Sequence, residues 1–181
     1  MFKLNARILG LCLLLGAPMQ QSAYAAQEDI ATAGDITVTL LPTLAYGATW
    51  HLDDEDGRNQ LYKSFFTNLG ITEVLKQSVK RERPNHVDNK SFPSGHTSIS
   101  FQTATFIQQR YGSKYGIPAY FAASFVGYSR VKSDWHFGSD VLAGAAIGII
   151  TSLYFTKPYK GVYLTPVARS GEYGISISKH W

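Results

Sequence analysis

Three segments of the chain collect residue types that handle anions and protons. Lys76-Gln77-Ser78-Val79-Lys80-Arg81-Glu82-Arg83-Pro84 sets Lys76 and Arg83 seven positions apart. That is nearly two helical turns, so a helix would carry both on one face. Two fixed cations beside a proline stop can grip an anion, although the neighbouring Lys80 and Arg81 equally fit a solvated basic helix end. Pro93-Ser94-Gly95-His96 places a small pair where a helix would begin. Unpaired backbone N–H groups there face outward toward any oxyanion, Gly95 lets the backbone approach closely, and His96 can give a proton. A helix-start turn with a surface histidine reads the same segment as well. The third segment runs from Ser129 to Asp140 and contains Arg130, His136 and Asp140. A carboxylate four residues after a histidine can sit beside it and fix its tautomer, leaving the other ring nitrogen nucleophilic. The same carboxylate would also serve a helix dipole from the first turn.

These segments need elements to hold them. Leu61, Phe65, Leu69, Thr72, Leu75 and Val79 recur every three or four residues, which predicts a helix from near Asn59 to a stop at Pro84. Further helices are predicted at about Ile36 to Trp50, Ser94 to Arg110, Ala119 to Tyr128 and Asp140 to Tyr154. Tyr111 to Pro118 reads as a turn, and Asn85 to Pro93 as a polar loop. The last helix has a small-residue face (Ala143, Gly144, Ala146, Gly148) that allows close packing. Beyond it, Val162–Val167 and Tyr173–Ile177 alternate as a hairpin would. The expected fold class is therefore all-α, a helical bundle with a short C-terminal β-hairpin.

At 181 residues and 45% hydrophobic content the chain suits one domain with one core, and disorder is excluded. Its single cysteine excludes a disulfide scaffold and multi-thiolate zinc sites. Residues 1–26 read as a signal peptide: Lys3 and Arg7, an apolar stretch from Ile8 to Pro18, then Ser22-Ala23-Tyr24-Ala25-Ala26. The remaining 27–181 would form the domain, with 158–181 as a β-rich tail, and would carry 15 basic and 13 acidic residues. With so small an excess and no basic run, no nucleic-acid partner is expected. The uncharged stretches each fall short of about 18 consecutive apolar residues and several contain Ser, Thr or Gln. A soluble exported bundle, in the periplasm or cell envelope, is expected. Insertion or lipid contact of the Val141–Phe155 helix stays open, and the oligomeric state is unread.

In order, the three segments resemble the signature of the type 2 phosphatidic acid phosphatase (PAP2) superfamily, which includes class A acid phosphatases and vanadium haloperoxidases. Its pattern is Lys-x6-Arg-Pro, then Pro-Ser-Gly-His, then Ser-Arg-x5-His-x3-Asp, and every fixed position is matched between Lys76 and Asp140. The resemblance implies the helical bundle of that superfamily and a phosphomonoesterase acting on a lipid phosphate or a small organic phosphate. It implies that His136 attacks phosphorus to give a phosphohistidine, that Asp140 orients its ring, and that His96 protonates the leaving oxygen and then activates water. Lys76, Arg83 and Arg130 would hold the phosphoryl oxygens, with the Ser94 hydroxyl and Gly95 N–H completing the cradle. Ser129, Pro84 and Pro93 would be structural. No metal or other cofactor is implied, and vanadate is expected to inhibit. A vanadium-dependent haloperoxidase and a non-catalytic envelope protein are the alternatives.

Other candidates read as ordinary. His51-Leu52-Asp53-Asp54-Glu55-Asp56-Gly57 lacks the ligand pattern of a calcium loop and reads as a solvated turn. His86 and Asp88 are expected in an exposed loop beside the pocket, and Trp135 as a candidate for substrate contact. His51 and His180 have no evident partner.

Overall fold

The computed structural model describes the backbone at 6–159, 162–169 and 172–179, and side chains from 25 to 159. The order is α1 (Ala6–His51), α2 (Glu55–Val79), α3 (Gly95–Tyr111), α4 (Ser113–Lys132), α5 (Gly138–Phe155), β1 (Val162–Arg169) and β2 (Glu172–Lys179). The two strands pair antiparallel, from Val162 opposite Lys179 to Arg169 opposite Glu172. The segment read as a signal peptide falls, where described, within α1, which runs unbroken through Ser22 to Ala26.

Helix α3 is the central element and packs against all four other helices. Its approach to α5 depends on the small residues noted in the sequence. A Cβ on Gly144 would collide with the Ser94 carbonyl oxygen, and one on Gly148 with the Ser98 carbonyl oxygen. The predicted turn at 111–118 contracts to Gly112, whose φ of 85° breaks α3 from α4. Pro118 lies inside α4, near enough to its start that few backbone bonds are affected.

The expected inward face of α2 is rotated. Its buried stripe is Leu61, Ser64, Asn68 and Thr72, whereas Leu69 and Val79 are exposed. Polar side chains stitch this stripe to α3. Ser98 Oγ donates to Asn68 Oδ1 at 2.5 Å and lies 3.1 Å from Thr72 Oγ1, and Gln102 Nε2 donates to Ser64 Oγ at 2.7 Å. Apolar burial is confined to residues such as Leu41, Ala45, Leu61, Ala104, Phe106 and Val126. Outside, large apolar side chains are turned to the surroundings, with Phe121 74% and Leu142 73% exposed. Among the described residues, Gly138–Phe155 is long and apolar enough to cross a membrane, with a mean hydropathy of 1.4. Small and polar residues within, and apolar residues without, are the arrangement of helices packed in lipid rather than water.

The acidic loop is not a solvated turn throughout. Asp54 is buried at the start of α2, where it accepts from the Gly57 N–H at 2.9 Å and from Tyr111 Oη at 3.0 Å. It also forms a buried ion pair with Arg110, which donates onward to the carbonyls of Lys157 and Pro158. This clamp ties the ends of α2, α3 and α5 together opposite the site described next.

Candidate active site

At the other end, the three motifs meet. Lys76, Arg83, Gly95, His96, Arg130, Trp135 and His136 line one cavity of about 320 Å³, together with Asp35 of α1. Residues 60 positions apart thus share one wall because α2 and α4 end where α3 and α5 begin.

Each side chain is held by its own local structure. Lys76 comes from the last turn of α2, and its Nζ donates to the carbonyls of Pro93 at 2.8 Å and Lys90 at 3.1 Å. Arg83 does not share a helix face with it. Helix α2 stops at Val79, Lys80 turns left-handed with φ 47°, and the chain brings Arg83 back from a loop. Asp88 accepts from Arg83 Nε at 2.7 Å, and this guanidinium holds the Asp88 carboxyl below its ordinary range. Arg83 Nη1 then reaches Trp135 O at 3.1 Å and lies 3.2 Å from His136 Nε2, with its carbon 5.1 Å from the Trp135 ring centre. Asp88 is therefore a partner of the site, whereas His86 pairs with Glu82 at the surface.

His136 precedes α5 and is buried. Its Nδ1 lies 2.6 Å from the Ser91 carbonyl oxygen, so the proton belongs on Nδ1 and the lone pair on Nε2 faces the cavity. Burial, then the nearby Arg83, push its pKa down to about 3. The ring is therefore neutral at neutral pH.

Asp140 is also buried, but it does not touch the ring as a helical i,i+4 pair would. The helix starts only at Gly138, and Asp140 Oδ2 stands 4.0 Å from Nδ1. Instead Asp140 Oδ2 accepts from Ser91 Oγ at 2.5 Å and from the Phe137 N–H at 3.0 Å. Asp140 thus reaches the ring indirectly, by securing Ser91, whose carbonyl meets Nδ1. Arg81 Nη1 completes the set at 2.7 Å from Asp140 Oδ1. Arg81 is then more than a solvated helix end.

Ser94 stands at the start of α3 as expected, without a side-chain capping bond, and Gly95 opens the helix. The Ser94 hydroxyl, however, is buried behind the wall, 2.9 Å from Thr97 Oγ1, and is not among the lining groups. Gly95 does line the cavity, and a Cβ there would meet only Thr72 Cγ2 at 3.8 Å. Arg130, in the last turn of α4, is buried, and each of its three nitrogens donates once: Nε to Ser129 Oγ at 3.1 Å, Nη1 to Asp35 Oδ1 at 2.8 Å and Nη2 to the Ala31 carbonyl at 2.6 Å. The same Asp35 oxygen lies 3.1 Å from His96 Nε2.

Asp35, Arg81 and Ser91 escaped the sequence reading. Asp35 had a signal, because it is the sole charged residue between Ile30 and Trp50. An isolated charge in an apolar helix needs a partner. Arg81 and Ser91 carried no signal, since their role depends on where a loop folds.

The PAP2 superfamily model matches residues 60–161, more than half of the chain, and the chain belongs to that superfamily. The match ends before β1. A lipid A 1-phosphatase of Porphyromonas gingivalis is 43% identical over 84 residues, which are 45% of this chain and 19% of that protein. Lipid phosphate phosphatase 1 of Arabidopsis thaliana is 36% identical over 99 residues, 46% of this chain and 29% of that protein. The chain thus spans less than a third of the length of either. A lipid A 4'-phosphatase of Helicobacter pylori is 27% identical and aligns over the whole of both chains. Among solved structures, a transmembrane PAP2-type phosphatidylglycerolphosphate phosphatase from Bacillus subtilis superposes with a TM-score of 0.58 and 23% identity, over 82% of this chain and 91% of that one. The Aquifex aeolicus LpxE structure gives 0.54 and 23%, over 66% and 83%.

The shared fold with a transmembrane protein overturns the expectation of a soluble enzyme of the periplasm or cell envelope. The error has a physical source. Ser, Thr and Gln interrupt the apolar runs in sequence, but in the bundle many of them turn inward and leave an apolar exterior.

Proposed function

We propose that the chain is a membrane-embedded phosphatase that hydrolyses a lipid phosphomonoester through a phosphohistidine, without a metal. The observation that carries this reading is the single cavity lined by three cations and both histidines. Lys76, Arg83 and Arg130 would bind the phosphoryl oxygens, where charge is spread during transfer. His136 Nε2 would form a bond to phosphorus as the bond to the leaving oxygen breaks, and His96 would give that oxygen its proton. Water would then attack the phosphohistidine, losing a proton to His96 as the N–P bond breaks, which frees phosphate and restores both rings. The cations supply the neutralisation that a metal would otherwise give. The apolar exterior and the names of the relatives support a lipid substrate. The β1–β2 tail takes no part in this scheme.

The test is release of inorganic phosphate from a short-chain phosphatidate by purified protein in detergent. Wild type is expected to be active, inhibited by vanadate and indifferent to chelators. His136→Ala and His96→Ala should each abolish release while unfolding at the wild-type temperature. Full activity in either folded variant, or loss of wild-type activity on chelation, refutes the scheme.

A further inference from the structure

Asp35 belongs to none of the three motifs, yet it lines the catalytic cavity. It comes from α1, which lies outside the matched residues 60–161. Its Oδ1 is shared between two groups of the proposed machinery, His96 Nε2 at 3.1 Å and Arg130 Nη1 at 2.8 Å. The contact is built into the helix packing. Gly34 next to it is buried, and a Cβ there would collide with Ser129 Oγ and press on Arg130 Nη2 at 2.6 Å. One turn earlier, the Ala31 carbonyl accepts from the same guanidinium. Helix α1 therefore grips Arg130 at two successive turns and presents its carboxylate to His96.

We propose that Asp35 is a positioning residue for phosphate transfer, holding the imidazole of His96 and the guanidinium of Arg130 in register from helix α1. This rests on the phosphatase reading above. A carboxylate against Nε2 favours the ring that carries a proton there. The charged ring is the form needed to protonate a leaving oxygen, and it becomes neutral as that proton leaves. The other charged or titratable groups around His96 are Arg130 from α4, Lys76 from α2, and Arg83 and His136 from the loops. All the cations among them oppose a proton on His96, so Asp35 is the group that offsets them. The carboxylate does not defeat phosphate binding. Before His96 gains its proton, three cations and one carboxylate leave the lining with two net positive charges, the count that a phosphomonoester dianion balances.

The test compares wild type with Asp35→Asn and Asp35→Glu in detergent, measuring kcat and KM on short-chain phosphatidate across pH. Asp35→Asn keeps the size and the hydrogen-bond acceptor but removes the charge. Its kcat is expected to fall about 10- to 100-fold, a modest share of what general acid catalysis contributes. KM should change by no more than about threefold, as for an interaction made chiefly in the transition state. The alkaline limb of kcat should move down by about one pH unit. Asp35→Glu keeps the charge and should hold that limb at its wild-type position. An Asn variant with unchanged kcat and limb overturns the inference. So does one whose KM and vanadate inhibition constant fall while kcat stays, since Asp35 would then only screen the cations. A Glu variant whose limb moves with that of Asn also overturns it. Inactive wild type would refute the phosphatase reading itself, and this inference with it.

Discussion

Asp140→Asn separates two ways of stabilising the phosphorylated ring. Once Nε2 carries phosphorus and Nδ1 keeps its proton, the ring is a cation. The Asp140 oxygen is 4.0 Å from Nδ1. Unit charges at that distance attract by about 4 kcal/mol at an effective dielectric of about 20. Arg81, 2.7 Å from the far oxygen, cancels part of that field. If about half survives, the loss is about 2 kcal/mol, and with no cancellation about 4, or roughly 30- to 1,000-fold in kcat. The amide oxygen of Asn can still accept from Ser91 and Phe137, so the loop should hold. Single-turnover phosphate release, with unfolding followed in the same detergent, reads the effect. Because Asp140 reaches the ring by securing Ser91, Ser91→Ala should also slow the reaction, and the double variant should be less impaired than the two losses combined. A folded Asp140→Asn enzyme within about threefold of wild type would refute the electrostatic argument.

Two further outcomes follow from the packing and the buried histidine. Gly148→Ala sets a Cβ against the backbone of Ser98 and Gln102 and should cost about 1–3 kcal/mol, seen as a lower unfolding temperature. Gly95→Ala meets only Thr72 Cγ2 at 3.8 Å, so it should fold normally and lose activity by intruding on the phosphate, as thermal melts and phosphate release would show. With a folded pKa of about 3 against an ordinary 6.5, His136 binds fewer protons folded than unfolded between those values. Stability should therefore fall as pH drops from about 6.5 toward 3, and His136→Asn should remove part of that slope in melts taken across the window.

The residues of the cavity were legible in the sequence because the chemistry proposed for them dictates residue type and local spacing. Lys76, Arg83, His96, Arg130 and His136 line one cavity, as the superfamily pattern implied. The geometry inferred from spacing was less faithful. Lys76 and Arg83 meet across a helix end and a loop, and Asp140 meets His136 through Ser91. A spacing of seven or four implies a shared face only if the helix continues, and here Lys80 and Gly138 mark its ends. The inward face of α2 was misread for a related reason, since hydrophobic periodicity marks the buried side only where the surroundings are water.

The sequence by itself determined five helical segments, the motif residues and a last helix with a face small enough for close packing, because these follow from periodicity, residue chemistry and missing side chains. The tertiary structure decided that Asp35 and Arg81 join the site and that the polar stripes point inward. Those are properties of which surfaces meet, and they depend on contacts between residues far apart in the chain, such as Asp35 and Arg130, which are 95 positions apart.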